Sequence, residues 1–291
     1  MQPFLASSCM LLLSGTLPIS GPGVISGEGN LIDGNITIGG RVFCINRGTA
    51  AMMATSIAVC KKYGLKPPLC VVSGDIGKGD GSTLLYRYLT ETIPLMQPEV
   101  VTFHYIMPNW YSHDEVFKAI QSMPQKPRLI ADAGYMYVAK MSGFAPHYDI
   151  FTPDLGELAF LADGEAPHPF YTRGFIFHME DKVDELIRMA YEEENASKFM
   201  LVKGKRDYIS KEGKILDTID EPDIPELEAI GGTGDTITGM IAALIYKGMP
   251  EEQALTLAAK ANRLAGKLVN PTPATQVGEV IKKIPQALDE V

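Results

Sequence analysis

The run Gly231-Gly232-Thr233-Gly234-Asp235 leads directly into Ile237-Thr238-Gly239-Met240-Ile241-Ala242-Ala243-Leu244. Glycines let the backbone turn its N–H groups toward a ligand, and a helix starting there adds the positive end of its dipole, so this spacing builds an anion site. An aspartate in such a site has two readings. It can cap the helix, accepting from backbone N–H groups of the first turn. Alternatively it is a general base: a carboxylate beside phosphate-binding amides takes the proton of a hydroxyl as that hydroxyl attacks a γ-phosphoryl group. On the second reading Asp235 is the catalytic group, and Gly232, Thr233 and Gly234 hold phosphate.

Other residues offer weaker chemistry. The segment Ser73-Gly74-Asp75-Ile76-Gly77-Lys78-Gly79-Asp80-Gly81-Ser82 lies between a strand pattern and a helix pattern. No Gly-Lys-Ser/Thr ends it, and its glycine spacing is not GxGxxG, so it is not a known phosphate loop. Its place at the carboxyl end of a parallel strand favours a substrate-contacting loop in which Asp75 accepts hydrogen bonds from substrate hydroxyls; a simple glycine turn is the competing reading. Asn46-Arg47-Gly48-Thr49 also precedes a helix, and Arg47 there can reach a phosphate or carboxylate or be a solvated charge. His104, His113, His147, His168 and His178 show no metal-ligand spacing. Trp110, Tyr135 and Tyr137 are candidates to stack on a ring, although packing is the commoner fate of such residues.

Such groups need a scaffold. Short apolar runs at 10–13, 69–73, 100–105, 129–132 and 199–203 alternate with helical patterns at 46–63, 82–92, 114–123 and 182–194. That alternation predicts a largely parallel sheet covered by helices, with Ser82 capping the second helix. Residues 207–219 read as a hairpin around Lys211-Glu212-Gly213-Lys214, giving the sheet an antiparallel edge, and three helices follow, at 235–246, 251–270 and from about 276. The stretch 165–178, rich in Pro and aromatics, is expected to form a surface excursion or lid. With no linker or repeat in view, residues 1–291 are read as one domain.

At this point a resemblance becomes specific. GTGD opening a long apolar helix resembles the hallmark of ribokinase-like kinases. Thr152-Pro153-Asp154-Leu155-Gly156-Glu157-Leu158 is similar to the TPHxGE motif of one branch, the nucleotide-dependent NAD(P)H-hydrate dehydratases, and Leu201-Val202-Lys203-Gly204 to its VLKG strand end. Asp132 resembles the aspartate of that branch's DAD segment, and all four segments occur in matching order over roughly the C-terminal half to 60% of the chain. The resemblance implies an α/β, ribokinase-like three-layer sandwich that uses ATP or ADP. It further implies nucleotide contacts from Lys203, Gly204 and Asn262, and substrate contacts from Asn46, Arg47, Gly48 and Asp132 alongside Asp75. The family histidine is Asp154 here, giving a DxxE closer to the NxxE of the kinases; Asp154 and Glu157 can then order Mg²⁺, or they can form a helix cap with an acid in its first turn. The GPGLG segment of the dehydratases is not found after the early strand.

Three functions stay open. The first is phosphorylation of the hydroxyl of a hydrated nicotinamide nucleotide followed by elimination to NAD(P)H. The second is an ATP-dependent kinase for a sugar, vitamin or other hydroxyl compound, and the third a nucleotide-binding protein without turnover. A net charge of −9 argues against a broad surface for nucleic acid or anionic lipid. The apolar residues 5–13 are too few for a span and have no preceding positive charge, so a cytoplasmic protein with reduced, mostly buried cysteines is expected. Members of the superfamily often form dimers or tetramers, which allows a homo-oligomer here.

Overall fold

A computed structural model describes residues 9–21, 23–166 and 182–291. Parallel strands β1 (Leu11–Leu17), β6 (Leu69–Gly74), β7 (Val100–His104), β8 (Arg128–Asp132), β9 (Ile150–Phe151) and β10 (Phe199–Val202) form the centre of the main sheet. The hairpin β11 (Asp207–Lys211) and β12 (Lys214–Ile219) closes one edge antiparallel, and β2 (Val24–Glu28) closes the other. The order is β12-β11-β10-β9-β8-β7-β1-β6-β2.

Successive side chains of a strand point to opposite faces, and the central strands are apolar on both. Leu11 and Leu13 enter one core while Leu12 enters the other. The first core is covered by α1 (Thr49–Lys62), α7 (Thr233–Tyr246), α8 (Glu251–Val269) and α9 (Val277–Glu290). The second lies under α2 (Asp80–Met96), α3 (Trp110–Gln121), α4 (Gly134–Met141), α5 (Leu155–Ala162) and α6 (Val183–Glu192). The result is the expected three-layer α/β sandwich with an antiparallel edge.

Two close approaches set the site. At Gly239 a Cβ would lie 2.2 Å from the Met52 carbonyl oxygen, so glycine is what lets α7 lie against α1. At Gly232, whose φ is 105°, a Cβ would come within 3.0 Å of Arg47 Cα. The amino termini of α1 and α7 therefore sit side by side above the carboxyl edge of the parallel strands.

Several expectations need correction. Helix α2 starts at Asp80 after Gly79 in the left-handed region, so Ser82 lies inside it and does not cap it. Helix α3 starts at Trp110, where the Asn109 side chain accepts from Ser112 N. Residues 30–44 form a second, antiparallel sheet of β3 (Asn30–Ile32), β4 (Asn35–Ile38) and β5 (Arg41–Cys44), unanticipated from sequence. All four cysteines are free, but Cys9 and Cys44 are exposed and only Cys60 and Cys70 buried. Of the expected excursion at 165–178, residues from 167 onward, with His168 and His178, lie outside the described residues. No helix among the described residues is long and apolar enough to cross a membrane.

Candidate active site at the carboxyl edge of the sheet

Parallel strands end on one edge, so their last residues converge there. Strand β7 ends in His104 and β8 in Asp132, paired in register. Each is followed by a non-glycine residue in the left-handed region, Tyr105 at φ 49° and Ala133 at φ 52°. Such backbone costs on the order of 1–2 kcal/mol per residue and persists where the surroundings enforce it. Here it turns the chain sharply away just beyond two buried polar side chains.

Those side chains form a continuous ionic network. Lys203 Nζ, from the turn after β10, lies 2.9 and 3.0 Å from the two oxygens of Asp132. Asp132 Oδ2 also accepts from Thr238 Oγ1 at 2.5 Å and lies 3.5 Å from His104 Nε2. His104 Nε2 lies 3.0 Å from Asp235 Oδ1, and the Gly48 backbone N–H donates to Asp235 Oδ2 at 2.7 Å. Behind the ring, Thr49 Oγ1 sits 3.1 Å from His104 Nδ1. Gly15 makes room for this pair, since a Cβ there would meet the His104 carbonyl oxygen at 2.1 Å and Thr49 Oγ1 at 2.7 Å.

Burial of charge is tolerated here because signs alternate along the chain Lys203, Asp132, His104, Asp235. Burial alone would lower the His104 pKa, but hydrogen bonds and charges from Asp132 and Asp235 outweigh it and raise it to about 9. For Asp132, burial works upward and is overcome by Lys203 and His104, leaving the carboxyl well below its ordinary value. Asp235 is likewise lowered, with His104 overcoming burial. Lys203, surrounded by Asp132, Glu157 and Asp235, is raised despite its burial.

Asp235 is thus not the helix cap. The cap position of α7 belongs to Gly232, and the Asp235 carboxylate reaches instead to Gly48 and His104. Two clefts meet at its loop. One, of about 540 Å³, is lined by Thr16, Pro18, Arg47, Gly48, Tyr105, Met107 and Asp235, among others. The other, of about 470 Å³, is lined by Asp154, Lys203, Gly204, Thr233, Gly234 and Asn262 with the 222–228 loop. Residues 231–235 form the wall between them.

Most of the sequence-selected residues collect here, though not always in the expected role. Gly48 supports Asp235; Arg47 lines the larger cleft, and Asn46 is exposed before α1. Asp132 is 1% exposed, beneath the cleft and held by Lys203 and Thr238, so it supports the site from below where a substrate contact was expected. Lys203 lines the smaller cleft with its ammonium on Asp132. The Gly204 N–H donates to Asp207, and Asn262 ties the start of α7 by accepting from Thr236 Oγ1 and donating to the Thr233 carbonyl.

Two acidic groups differ more clearly from expectation. The Asp75 carboxylate accepts from the N–H groups of Gly77, Lys78, Gly79 and Ser82 and from Ser82 Oγ, all at 2.9–3.0 Å. It lines the larger cleft, as a substrate contact would, but these bonds also organise its own loop, overcome burial and lower its pKa. Asp154 and Glu157 form a reciprocal capping box at the start of α5: Asp154 Oδ1 accepts from Glu157 N, and Glu157 Oε2 from Asp154 N. The other Glu157 oxygen faces Tyr137 OH at 3.3 Å, and burial raises the Glu157 pKa. Only Asp154 Oδ2 carries no hydrogen bond within this pair, so the two do not form a ready pair of direct magnesium ligands.

His104, Thr49 and Thr238 escape sequence reasoning. The strand-end argument that draws attention to Asp75 applies equally to His104, the last residue of an apolar β-branched run, and is the signal that could have found it. His104, Asp132 and Asp235 bring ligand-type atoms within 4.8 Å of one another. Each already has a protein partner, and the Lys203 ammonium stands on Asp132 where a cation would compete with it.

Comparison with known proteins bears on family and fold. A family model described as NAD(P)H-hydrate dehydratase matches residues 112–286. An uncharacterized protein of Methanocaldococcus jannaschii, MJ1337, is 41% identical over 239 residues, which cover 82% of this chain and 98% of that one. The bifunctional NAD(P)H-hydrate repair enzyme Nnr of Hyperthermus butylicus is 30% identical over 112 residues, 38% of this chain and 20% of that one. Among solved structures, a ribokinase-like superfamily protein of Enterococcus faecalis superposes with a TM-score of 0.59 at 14% identity, covering 100% of this chain and 91% of that chain. That likeness is one of fold, and the fold is ribokinase-like.

Proposed function

The chain belongs to the NAD(P)H-hydrate dehydratase family, and from that premise we propose that it transfers the terminal phosphoryl group of ATP or ADP to the hydroxyl of a hydrated nicotinamide nucleotide. Loss of that phosphate, with a ring proton, then restores NAD(P)H. The observation carrying this reading is the position of Asp235: in the first turn of α7 but not its cap, facing the larger cleft, with the other side of that helix start bordering the smaller one. A phosphoryl donor in the smaller cleft and a hydroxyl acceptor in the larger would meet at this wall.

In that arrangement the amides of Gly232, Thr233 and Gly234, at the positive end of α7, receive the transferring phosphoryl group. Asp235 accepts the hydroxyl proton as the new O–P bond forms and the nucleotide leaves. Lys203 and Asp132 keep the floor of the site neutral. Magnesium would enter with the nucleotide, held chiefly by phosphate oxygens, with Asp154 Oδ2 the nearest available carboxylate oxygen of the capping pair.

A second reading has its own support. The larger cleft is built from residues 16–107 together with Gly231, Gly232 and Asp235, so most of its wall precedes the 112–286 segment matched by the family model. An acceptor other than the hydrated nucleotide, phosphorylated as a stable product by a small-molecule kinase, fits a cleft built mostly outside the matched segment.

One assay separates the two. Purified protein with Mg²⁺ and ATP or ADP is expected to restore reduced-nicotinamide absorbance from chemically prepared NADH hydrate. Asp235→Asn should lower that rate roughly 10²–10⁴-fold while leaving nucleotide affinity within a few-fold. Recovery unaffected by Asp235→Asn would overturn the assignment of the base. No recovery by a protein that binds nucleotide would shift the reading to the kinase and to a screen of hydroxyl acceptors.

A further inference from the structure

We propose that His104 is the positioning residue of this site, a buried imidazolium that holds Asp235 in the acceptor cleft as an ionised, correctly aimed base. The inference rests on the reading of Asp235 as the proton acceptor.

His104 is fully buried, its Nε2 is 3.0 Å from Asp235 Oδ1 and 3.5 Å from Asp132 Oδ2, and its Nδ1 is 3.1 Å from Thr49 Oγ1. A carboxylate accepts only, so Nε2 must carry the proton in its bond to Asp235. On the far side, Thr49 Oγ1 also faces the His104 carbonyl oxygen at 3.5 Å; a hydroxyl whose proton turns there can accept from an N–H at Nδ1. Both ring nitrogens are then donors, which is the charged form.

Charge count leads to the same state. The groups facing His104 are Asp132 from β8, Asp235 from α7 and Thr49 from α1; the Tyr105 ring packs edge-on at 4.6 Å, and Lys203 stands behind Asp132. With a neutral imidazole, the buried Asp132 and the partly buried Asp235 would share one lysine. With an imidazolium, two anions meet two cations.

This pairing bears directly on the reaction. Asp235 Oδ1 is fixed by His104 and Oδ2 by Gly48 N–H, leaving further lone pairs to meet the acceptor hydroxyl. When the hydroxyl proton arrives on Asp235, the carboxylic acid stays beside a cation that resists its neutralisation, which favours passing the proton on to solvent or to the departing phosphate.

The test uses the full-length protein. In ¹⁵N NMR of its histidine rings, His104 should show two protonated nitrogens at neutral pH and titrate near pH 9, and Asp235→Asn should lower that midpoint by roughly 1–3 pH units. A neutral ring at pH 7, or a midpoint indifferent to Asp235→Asn, would overturn the proposal. In turnover, His104→Gln retains a donor near Nε2 without the charge. Its kcat should fall roughly 10–100-fold and the acid limb of its kcat profile should rise by about one pH unit or more, with nucleotide KM within about twofold. An acid limb identical to the parent's would equally sink the idea. The NMR measurement needs neither turnover nor a folded His104 variant. A protein without activity on any acceptor whose imidazolium still responds to Asp235→Asn would therefore count against the function and in favour of the pairing.

Discussion

Asp75 and Asp235 both lie beyond the carboxyl ends of parallel strands, and their hydrogen-bond partners separate their roles. Asp75 takes four backbone N–H groups and one hydroxyl from its own loop, so little of it remains for a substrate. Asp235 takes one backbone N–H from another element and one imidazole, and both aspartates border the larger cleft. In Asp75→Asn the new amide would point N–H groups at N–H groups, losing charge-assisted bonds worth roughly 1.5–3 kcal/mol each where they are well formed. Hydrogen exchange of the Gly77, Lys78 and Gly79 amides should accelerate at least tenfold, and the KM of the acceptor should rise while that of the nucleotide holds. Unchanged exchange with a lost hydroxyl-specific affinity would return Asp75 to the role of a substrate contact. A single sequence could not make this distinction, because the donors come from a loop whose φ values are set by glycines, not by any side-chain pattern. The same holds for His104: its chemistry depends on which residues sit across from it in strands and helices distant in the chain.

At the level of elements, five parallel strands and the hairpin of the main sheet were legible because they are short apolar runs bounded by Gly, Pro and polar residues, and each predicted run lies within a residue or two of an observed strand, except that β1 continues to Leu17; β9, two residues long, and the edge strand β2 were not anticipated. The small sheet was not. Its strands have three or four residues, too short for an alternation to stand out, although Leu31, Ile36 and Phe43 pair across them on the face that packs against the first core. Helix α5 is hidden for a different reason: its eight residues follow Asp154, whose place in the DxxE motif suits a metal ligand as well as a cap.

Helix α7 offers a controlled comparison between two of its own glycines. At Gly239 an added methyl meets the Met52 carbonyl oxygen at 2.2 Å and the Thr55 Cβ at 3.0 Å, so Gly239→Ala must push α7 off α1. Overpacking of that kind costs typically about 1–3 kcal/mol, visible as a lower midpoint in urea. At Gly234 the nearest atoms to the same methyl belong to the Lys203 side chain, at 3.5–3.8 Å, and the methyl stands in the wall of the smaller cleft. Gly234→Ala should leave the urea midpoint unchanged or slightly higher, since alanine favours helix by about 1 kcal/mol over glycine. Its nucleotide affinity, read by calorimetry, should fall tenfold or more. Loss of stability in Gly234→Ala, or undiminished affinity, would contradict the placement of the phosphates at this helix end.

For the whole molecule, the buried network ties stability to pH in a way one substitution can isolate. An imidazole whose pKa is raised from an unfolded value near 6.5 to about 9 adds stability that is fully present below about pH 6.5 and is lost as pH rises through about 9. Asp132 and Asp235, both lowered, contribute in the opposite sense: their share is present above about pH 4 and is lost as pH falls below it. Between pH 6.5 and 9 Asp132 and Asp235 stay ionised in parent and variant alike, and Glu157, raised by burial to about 8, titrates in both, so the stability difference between the parent and His104→Gln should change in that window chiefly through His104. A tenfold change in proton affinity on folding corresponds to about 1.36 kcal/mol, so a rise from about 6.5 to about 9 should shrink the difference by roughly 3 kcal/mol from its low-pH value as the pH passes 9. Urea unfolding at closely spaced pH values measures it directly. A difference that stays flat from pH 6 to 10 would mean that the ring carries no proton worth holding, and that the pairing of Asp132, His104 and Asp235 is sustained by packing alone.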